Sequence, residues 1–123
     1  MLNAAAGILV VLALAHSLLG ERFIISRVLK RDGLPKLFGS DAFTKQTLRY
    51  CWHLTTIIGL GIAFLLIQLG EGAPAVALVR TLAFTMLLAA VLAVVVTRGR
   101  HLSWVGFLMA GVICFRYAGL PAF

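Results

Sequence analysis

The sequence predicts an all-α protein, a small four-helix transmembrane bundle. The chain has 123 residues, of which 62% are hydrophobic and only 12% are charged. Soluble domains average about 45–50% apolar and about 25% charged residues, so this composition is typical of a membrane protein. Four stretches are apolar over roughly the 20 residues that a helix needs to cross a bilayer. Because backbone groups inside hydrocarbon must pair internally, we expect each stretch to be a helix.

The four predicted spans form a single integral membrane domain, residues 1–123, and cover residues 2–19, 50–69, 75–96 and 102–120. Ala13-Leu-Ala15 in the first span resembles a signal-peptide cleavage site, and the apolar run before it has a suitable length. However, no Lys or Arg precedes it, which favours a retained helix over a cleaved one. We expect the nearly aliphatic third span to face lipid or a partner subunit. Three glycines are expected to allow close helix packing: Gly7, Gly106 and Gly111.

The connection between the first two spans, residues 20–49, is long and basic, whereas the other two connections are tight turns. Residues 21–31 set four apolar side chains against four basic ones, which predicts that the first span continues into an amphipathic helix that meets anionic lipid: Phe23, Ile24, Val28 and Leu29 against Arg22, Arg27, Lys30 and Arg31. Residues 32–35 include Gly and Pro and should end that helix. Ser40 is the predicted N-cap of a helix that leads into the second span.

The distribution of positive charge predicts the orientation. The chain has 11 Lys and Arg against 4 Asp and Glu, and nine of the eleven lie in the first and third connections. By the positive-inside rule, the long loop is cytoplasmic and both termini face outward. Charge concentrated in this way disfavours a nucleic-acid partner and favours the lipid bilayer. Cys51 and Cys114 fall toward opposite ends of their spans, too far apart for a disulfide.

The three histidines of the chain fall at a similar depth near the cytoplasmic ends of three different helices. They are His16, His53 and His101, and Glu21 lies at the same level. Imidazoles and a carboxylate that converge from separate helices are the usual ligands of zinc or iron in a helical bundle. The sequence therefore predicts a metal site of these four residues, with Ser17 and Thr56 as hydrogen-bond partners of the ligands.

Two alternatives to a metal ion remain open for the histidines. His16 and His53 could be the axial ligands of a haem b, with Arg49 paired to a propionate. The histidines could also simply bond to backbone, headgroups or Glu21 at the membrane interface. No spacing motif such as Glu-x-x-His decides between these interpretations.

The ends of the first two spans carry a further pattern. His16-Ser-Leu-Leu-Gly-Glu21, together with Arg49-Tyr-Cys-Trp-His53, resembles a group of small bacterial inner-membrane proteins. The resemblance covers about the first half of the chain and implies an inner-membrane location but no activity. It also implies that His16, Gly20, Glu21, Arg49, Trp52 and His53 form one constellation. In that constellation, a Glu21–Arg49 ion pair would clamp the two helix ends.

Three classes of function follow from these patterns. The first is a metal- or haem-binding membrane protein. The second is an accessory or scaffold subunit of a larger inner-membrane complex, and the third is a small transporter formed by a homo-oligomer. No nucleophile–base pair, phosphate loop or pair of carboxylates can be read from the sequence, so it assigns neither a reaction nor a substrate.

Overall fold

Four helices account for most of residues 1–119, the part of the chain that the computed structural model describes. They are α1 (Leu2–Val28), α2 (Ala42–Gly70), α3 (Ala75–Thr97) and α4 (Ser103–Gly119). The first three are long and apolar enough to cross a membrane, and α4 is a shorter apolar helix of 17 residues. The predicted all-helical fold with four helices is confirmed, and three of the helices have the length and composition of membrane spans. The predicted end of the fourth span, Leu120, lies outside the described residues.

The helix α1 is longer than the first predicted span and contains a local irregularity. It is α-helical over Leu2–Gly20, π-helical over Glu21–Ile25 and α-helical again over Ser26–Val28. The predicted continuation of the first span into a basic helix is confirmed as far as Val28, and the helix ends before the predicted break at residues 32–35. Most of the predicted long loop is helical, because α2 already begins at Ala42.

The predicted N-cap of α2 is wrong. The helix starts after Asp41, and no side chain caps its first turn. Ser40 instead pairs with Leu37 through the backbone in both directions. This tight turn places Phe38 and Gly39 at positive φ angles of 55° and 84°. The turn uses the backbone groups of Ser40 before the helix begins.

The helices pack in chain order, as a row. α1 packs on α2, α2 on α3, and α3 on α4. Among the described residues, α1 makes no close backbone contact with α3 or α4, and α2 approaches α4 only through side chains at one end. That end contains Arg49 and the turn after α3, and we call it the basic end. The sequence predicted a four-helix bundle, whereas the described helices form an open row in which α1 and α4 are not in contact.

The helix α3 is one of the two inner helices of the row, so part of the surface that was expected to face lipid or a partner subunit packs on α2 and α4 instead. Four alanines on it are buried between its neighbours: Ala83, Ala89, Ala90 and Ala93. Small side chains let helix backbones approach closely, so an aliphatic helix with an alanine stripe can form the core. The predicted packing role of Gly111 is confirmed, because a methyl group there would lie 2.9 Å from Leu87. Gly7 and Gly106 face open space, so that prediction is wrong for both.

Candidate functional site

Glu21 and Arg49 join α1 to α2 at the basic end. Arg49 donates from Nη2 to Glu21 Oε1 at 2.8 Å and from Nε to Oε2 at 3.3 Å. The paired geometry is the one that guanidinium and carboxylate groups favour. Both side chains remain about a third or more exposed. The ion pair predicted between these two residues therefore forms, as a half-buried clamp between helix ends.

His53 extends this pair into a chain of four polar side chains. Its Nε2 lies 3.1 Å from Glu21 Oε2, and its Nδ1 lies 2.6 Å from Ser17 Oγ. A single neutral tautomer satisfies both contacts, with Nε2–H donating to the carboxylate and Nδ1 accepting the hydroxyl proton. We call Ser17, Glu21, Arg49 and His53 the polar chain.

The π-helical turn sits where the polar chain leaves α1. Glu21 is its first residue, and the Ser26 hydroxyl donates to the Glu21 carbonyl. π-Turns insert an extra residue into an α-helix and are frequent at functional sites. Ser17 and Glu21 are four residues apart on α1, and Arg49 and His53 are four residues apart on α2. Each pair therefore shares one helix face, and the two faces meet.

His16 belongs to the same helix ends but has separate partners. Its ring stacks on the Trp52 ring at a centroid distance of 4.3 Å and an angle of 11°. Its Nε2 lies 2.9 Å from Thr55 Oγ1, and Trp52 Nε1 donates to the His16 carbonyl at 3.0 Å. A methyl group on Gly20 would overlap the Trp52 ring, so the indole needs glycine at this position.

An open apolar groove of about 420 Å³ runs along α1 beside this stack. His16, Phe23 and Trp52 line part of it, and the rest comes from aliphatic or small side chains: Leu12, Ala15, Leu19, Gly20 and Ile24. At its basic end, the guanidinium carbons of Arg22 and Arg27 lie 5.5 and 5.9 Å from the centre of the Phe23 ring. The apolar groove therefore has two neighbouring guanidinium groups at one end.

His101 is not part of this site. It packs against Tyr50 and Phe43, with ring centroids 5.2 and 6.3 Å away, and its Nδ1 lies 2.8 Å from Ser103 Oγ. The His101 backbone N–H donates to Thr97 Oγ1 at 3.2 Å, and we call Tyr50, Thr97, His101 and Ser103 the α4 cluster. Equal depth along four helices does not bring residues together when the helices form a row, because α2 and α3 separate α4 from α1.

The predicted four-ligand metal set is therefore not assembled. Within residues 1–119, no three His, Cys, Asp or Glu side chains are grouped so that they could hold a metal ion. Thr56 does not support a ligand either, since its hydroxyl donates to the Ala13 carbonyl at 3.4 Å. Of the four predicted ligands, only Glu21 and His53 lie together, and the positive charge of Arg49 beside them disfavours a metal cation.

The predicted haem ligands also have other partners. His16 is engaged with Thr55 and Trp52, while His53 is engaged with Ser17 and Glu21. The two imidazoles are thus directed to different partners and do not form a facing pair. Cys51 and Cys114 are both free thiols, in agreement with the sequence.

Sequence reasoning assigned Ser17 only a supporting role and did not identify its bond to His53. The signal that could have found it is the matched spacing of Ser17 with Glu21 and of Arg49 with His53. No protein family, curated protein or solved structure matches the chain. The contacts of the site are therefore the only basis for a function.

Proposed function

We propose that the protein is a small multi-pass protein of a bacterial inner membrane that binds an anionic phospholipid at the basic end of α1. One observation carries this proposal: the guanidinium groups of Arg22 and Arg27 converge on the ring of Phe23 at the end of an apolar groove. A phospholipid offers the complement, a phosphate for the cations and an acyl chain for the groove.

The charges around the groove support an anionic headgroup. Within residues 1–119, the only side chains that form salt bridges with carboxylates are Lys45, Arg49 and His53. Arg22 and Arg27 are exposed and have no carboxylate partner in that part of the chain. A phosphate between the two guanidinium groups would relieve their mutual repulsion and accept several hydrogen bonds.

The apolar side chains around the groove support a membrane-facing position. Leu12, Leu19 and Phe23 are each about half exposed, at 58%, 56% and 48%. Exposed apolar side chains next to basic ones are typical of helices that lie at the interface between acyl chains and headgroups. The proposed orientation places the basic end in the cytoplasmic leaflet and both termini outside, in line with the positive-inside rule.

The test is lipid selectivity of the full-length protein in nanodiscs. We expect phosphatidylglycerol to raise the midpoint of thermal unfolding more than phosphatidylcholine does, and the difference to shrink as salt is added. The double variant Arg22→Gln/Arg27→Gln should abolish the difference. Arg98→Gln/Arg100→Gln, in the other basic turn, is the matched control and should retain it. Equal stabilisation by both lipids, or an equal loss in the control, would contradict the proposal.

A second proposal, favoured by the open row of helices, is that the chain is an accessory subunit of a larger membrane complex or of a homo-oligomer. The row leaves large aliphatic side chains exposed on α3, among them Leu88, Val91 and Val95. A partner that copurifies in mild detergent and shields cysteines introduced at these positions from alkylation would support it. A monodisperse monomer with reactive cysteines would contradict it. The zinc or iron site, the haem b site and the oligomeric transporter stay predictions.

A further inference from the structure

We propose that Ser17 is a nucleophile activated by His53, and that the polar chain forms an acyl-ester hydrolase site at the membrane interface. The proposal rests on connectivity: serine hydroxyl to imidazole at 2.6 Å, and imidazole to carboxylate at 3.1 Å. It does not require the lipid groove, because Ser17 faces His53, whereas His16 lines the groove.

The neutral tautomer of His53 that satisfies both of its contacts is the one that a general base for Ser17 requires. When Nε2–H donates to the Glu21 carboxylate, the lone pair of Nδ1 is directed at the Ser17 hydroxyl. A serine hydroxyl is a weak nucleophile unless an adjacent base takes its proton as it attacks. The order of serine, imidazole and carboxylate is that of hydrolytic triads on several unrelated folds.

Glu21 and Arg49 act as positioning residues. Arg49 holds both oxygens of the Glu21 carboxylate, so the carboxylate has a fixed orientation toward His53. Glu21 is also the first residue of the π-helical turn in α1. Such turns are frequent at functional sites. Each of these groups acts on Ser17 through His53.

The surroundings of Ser17 indicate the substrate class. Leu14 and Leu18, its neighbours on α1, are 47% and 70% exposed, and the ion pair lies one turn further on. An approaching substrate would meet aliphatic side chains and then charge, as at the boundary between acyl chains and headgroups. We infer an ester of a long-chain carboxylic acid, with its carbonyl at that boundary.

The reaction balances without any group that the chain lacks. Ser17 Oγ bonds to the ester carbonyl carbon, and its proton passes to His53 Nδ1. The carbon–oxygen bond to the alcohol then breaks, and the leaving oxygen takes the proton from Nδ1. Water attacks the acyl-serine in turn, gives its proton to Nδ1 and releases the carboxylic acid, and the proton returns to Ser17.

The chain contains its own control. Ser103 Oγ lies 2.8 Å from His101 Nδ1, which nearly matches the distance of Ser17 from His53. Within residues 1–119, His101 forms no salt bridge or hydrogen bond with a carboxylate. If the carboxylate and its tautomer control activate serine, an organophosphorus probe should modify Ser17 and leave Ser103 unmodified.

The experiment uses the full-length protein in detergent with a long-chain alkyl fluorophosphonate, and peptide mass spectrometry locates the adduct. We expect modification at Ser17 with loss of fluoride. Labelling should be absent in Ser17→Ala and about 100-fold slower in His53→Gln, in line with the usual contribution of a general base. Glu21→Gln should slow labelling, Glu21→Asp should recover part of the rate, and Ser103→Ala should leave it unchanged.

The wild-type adduct and the labelling rate of His53→Gln together decide the question. No adduct at Ser17, equal labelling of Ser17 and Ser103, or a rate at Ser17 that is unchanged in a folded His53→Gln protein would overturn the proposal. Gel filtration and thermal unfolding identify variants that do not fold. The selectivity of Arg22 and Arg27 for anionic lipid is measured separately, so either proposal can fail while the other stands.

Discussion

Two histidine–serine contacts at the basic end have similar lengths but differ in how they are built and in what surrounds them. In the polar chain, His53 Nδ1 lies 2.6 Å from Ser17 Oγ, and in the α4 cluster His101 Nδ1 lies 2.8 Å from Ser103 Oγ. The first contact joins residues 36 positions apart on two helices, whereas the second joins residues two positions apart in one turn. A similar pair of groups is thus built once by tertiary packing and once by local geometry.

The surroundings assign different roles to the two pairs. His53 also contacts the Glu21 carboxylate, which pairs with the Arg49 guanidinium group, so the Ser17–His53 pair belongs to the polar chain. Ser103 continues to the hydroxyl of the buried Tyr50 at 2.8 Å, and its own backbone N–H lies 3.4 Å from His101 Nδ1. Hydrogen bonds of this local kind cap the start of a helix. The α4 cluster therefore closes the turn into α4, whereas the polar chain adds a carboxylate and a guanidinium group to its serine–histidine pair.

The largest expected effect comes from substitution of Gly20, which lies on α1 next to the polar chain and against the Trp52 ring. Gly20→Ala would place a methyl group inside the contact distance of a Trp52 ring that is held by stacking and by a hydrogen bond. Because the ring cannot move without losing both contacts, we expect a loss of about 3 kcal/mol in unfolding free energy, the upper part of the usual range for overpacking. Reversible unfolding in mixed detergent micelles measures this.

Gly106→Ala is the matched control for this substitution. Gly106 lies within α4, and a methyl group added there would have no neighbour within 4 Å, so alanine meets open space. Helix propensity alone should then stabilise the protein by about 0.5–1 kcal/mol. Equal and small effects of both substitutions would mean that Trp52 does not pack on Gly20.

Removing the charge of Glu21 should have an intermediate effect. Glu21→Gln leaves Arg49 without its carboxylate and weakens the contact of His53. Since both partners of the ion pair are at least a third exposed, we expect a loss of about 1–2 kcal/mol, below the cost of breaking a fully buried pair. A double-mutant cycle with Arg49→Gln should give a coupling free energy of about 1 kcal/mol.

The same variant decides between the clamp and the metal ion predicted from the sequence. Metal analysis of the wild type and of Glu21→Gln accompanies the unfolding measurement. A clamp predicts lower stability with unchanged metal content. A stoichiometric metal that is lost in a variant of unchanged stability would contradict the clamp and restore the metal as the main hypothesis.

Some of the molecule could be predicted from the sequence because the relevant physics acts along the chain. Hydropathy gives the apolar helices, and the charge complement of Glu21 and Arg49 at adjacent helix ends gives their ion pair. That His101 lies at the start of the fourth span was also readable, and the structure places it in the turn before α4. What could not be read is lateral position, since nothing in the hydropathy of four spans says whether they close into a bundle or form a row.

The role of α3 and the role of Ser17 were missed for a related reason. Ala83 and Ala93 add to the hydropathy of a span in the same way whether they are buried between helices or exposed to lipid. Ser17 becomes notable only when His53 is placed opposite it by packing. Side-chain size and i, i+4 spacing carry this information, but they gain meaning only once the neighbouring helix is known.

The smallest expected effect tests the α4 cluster. Tyr50→Phe removes a hydroxyl that contacts Ser103 while it keeps the ring, which is only 1% exposed. We expect a loss of about 1 kcal/mol, the usual net value of one neutral hydrogen bond. Tyr117→Phe, at an exposed tyrosine of α4, is the control and should change stability by less than about 0.5 kcal/mol.

The labelling rate of Ser17 separates the two clusters in the same Tyr50→Phe protein. If the α4 cluster only closes a turn, the alkyl fluorophosphonate should modify Ser17 at the wild-type rate despite the lost stability. A parallel fall in stability and labelling would mean that the two clusters act as one unit through α2. Tyr50 and His53 lie one turn apart on the same helix, so such coupling would pass through α2. The polar chain and the α4 cluster would then not be independent parts of the basic end.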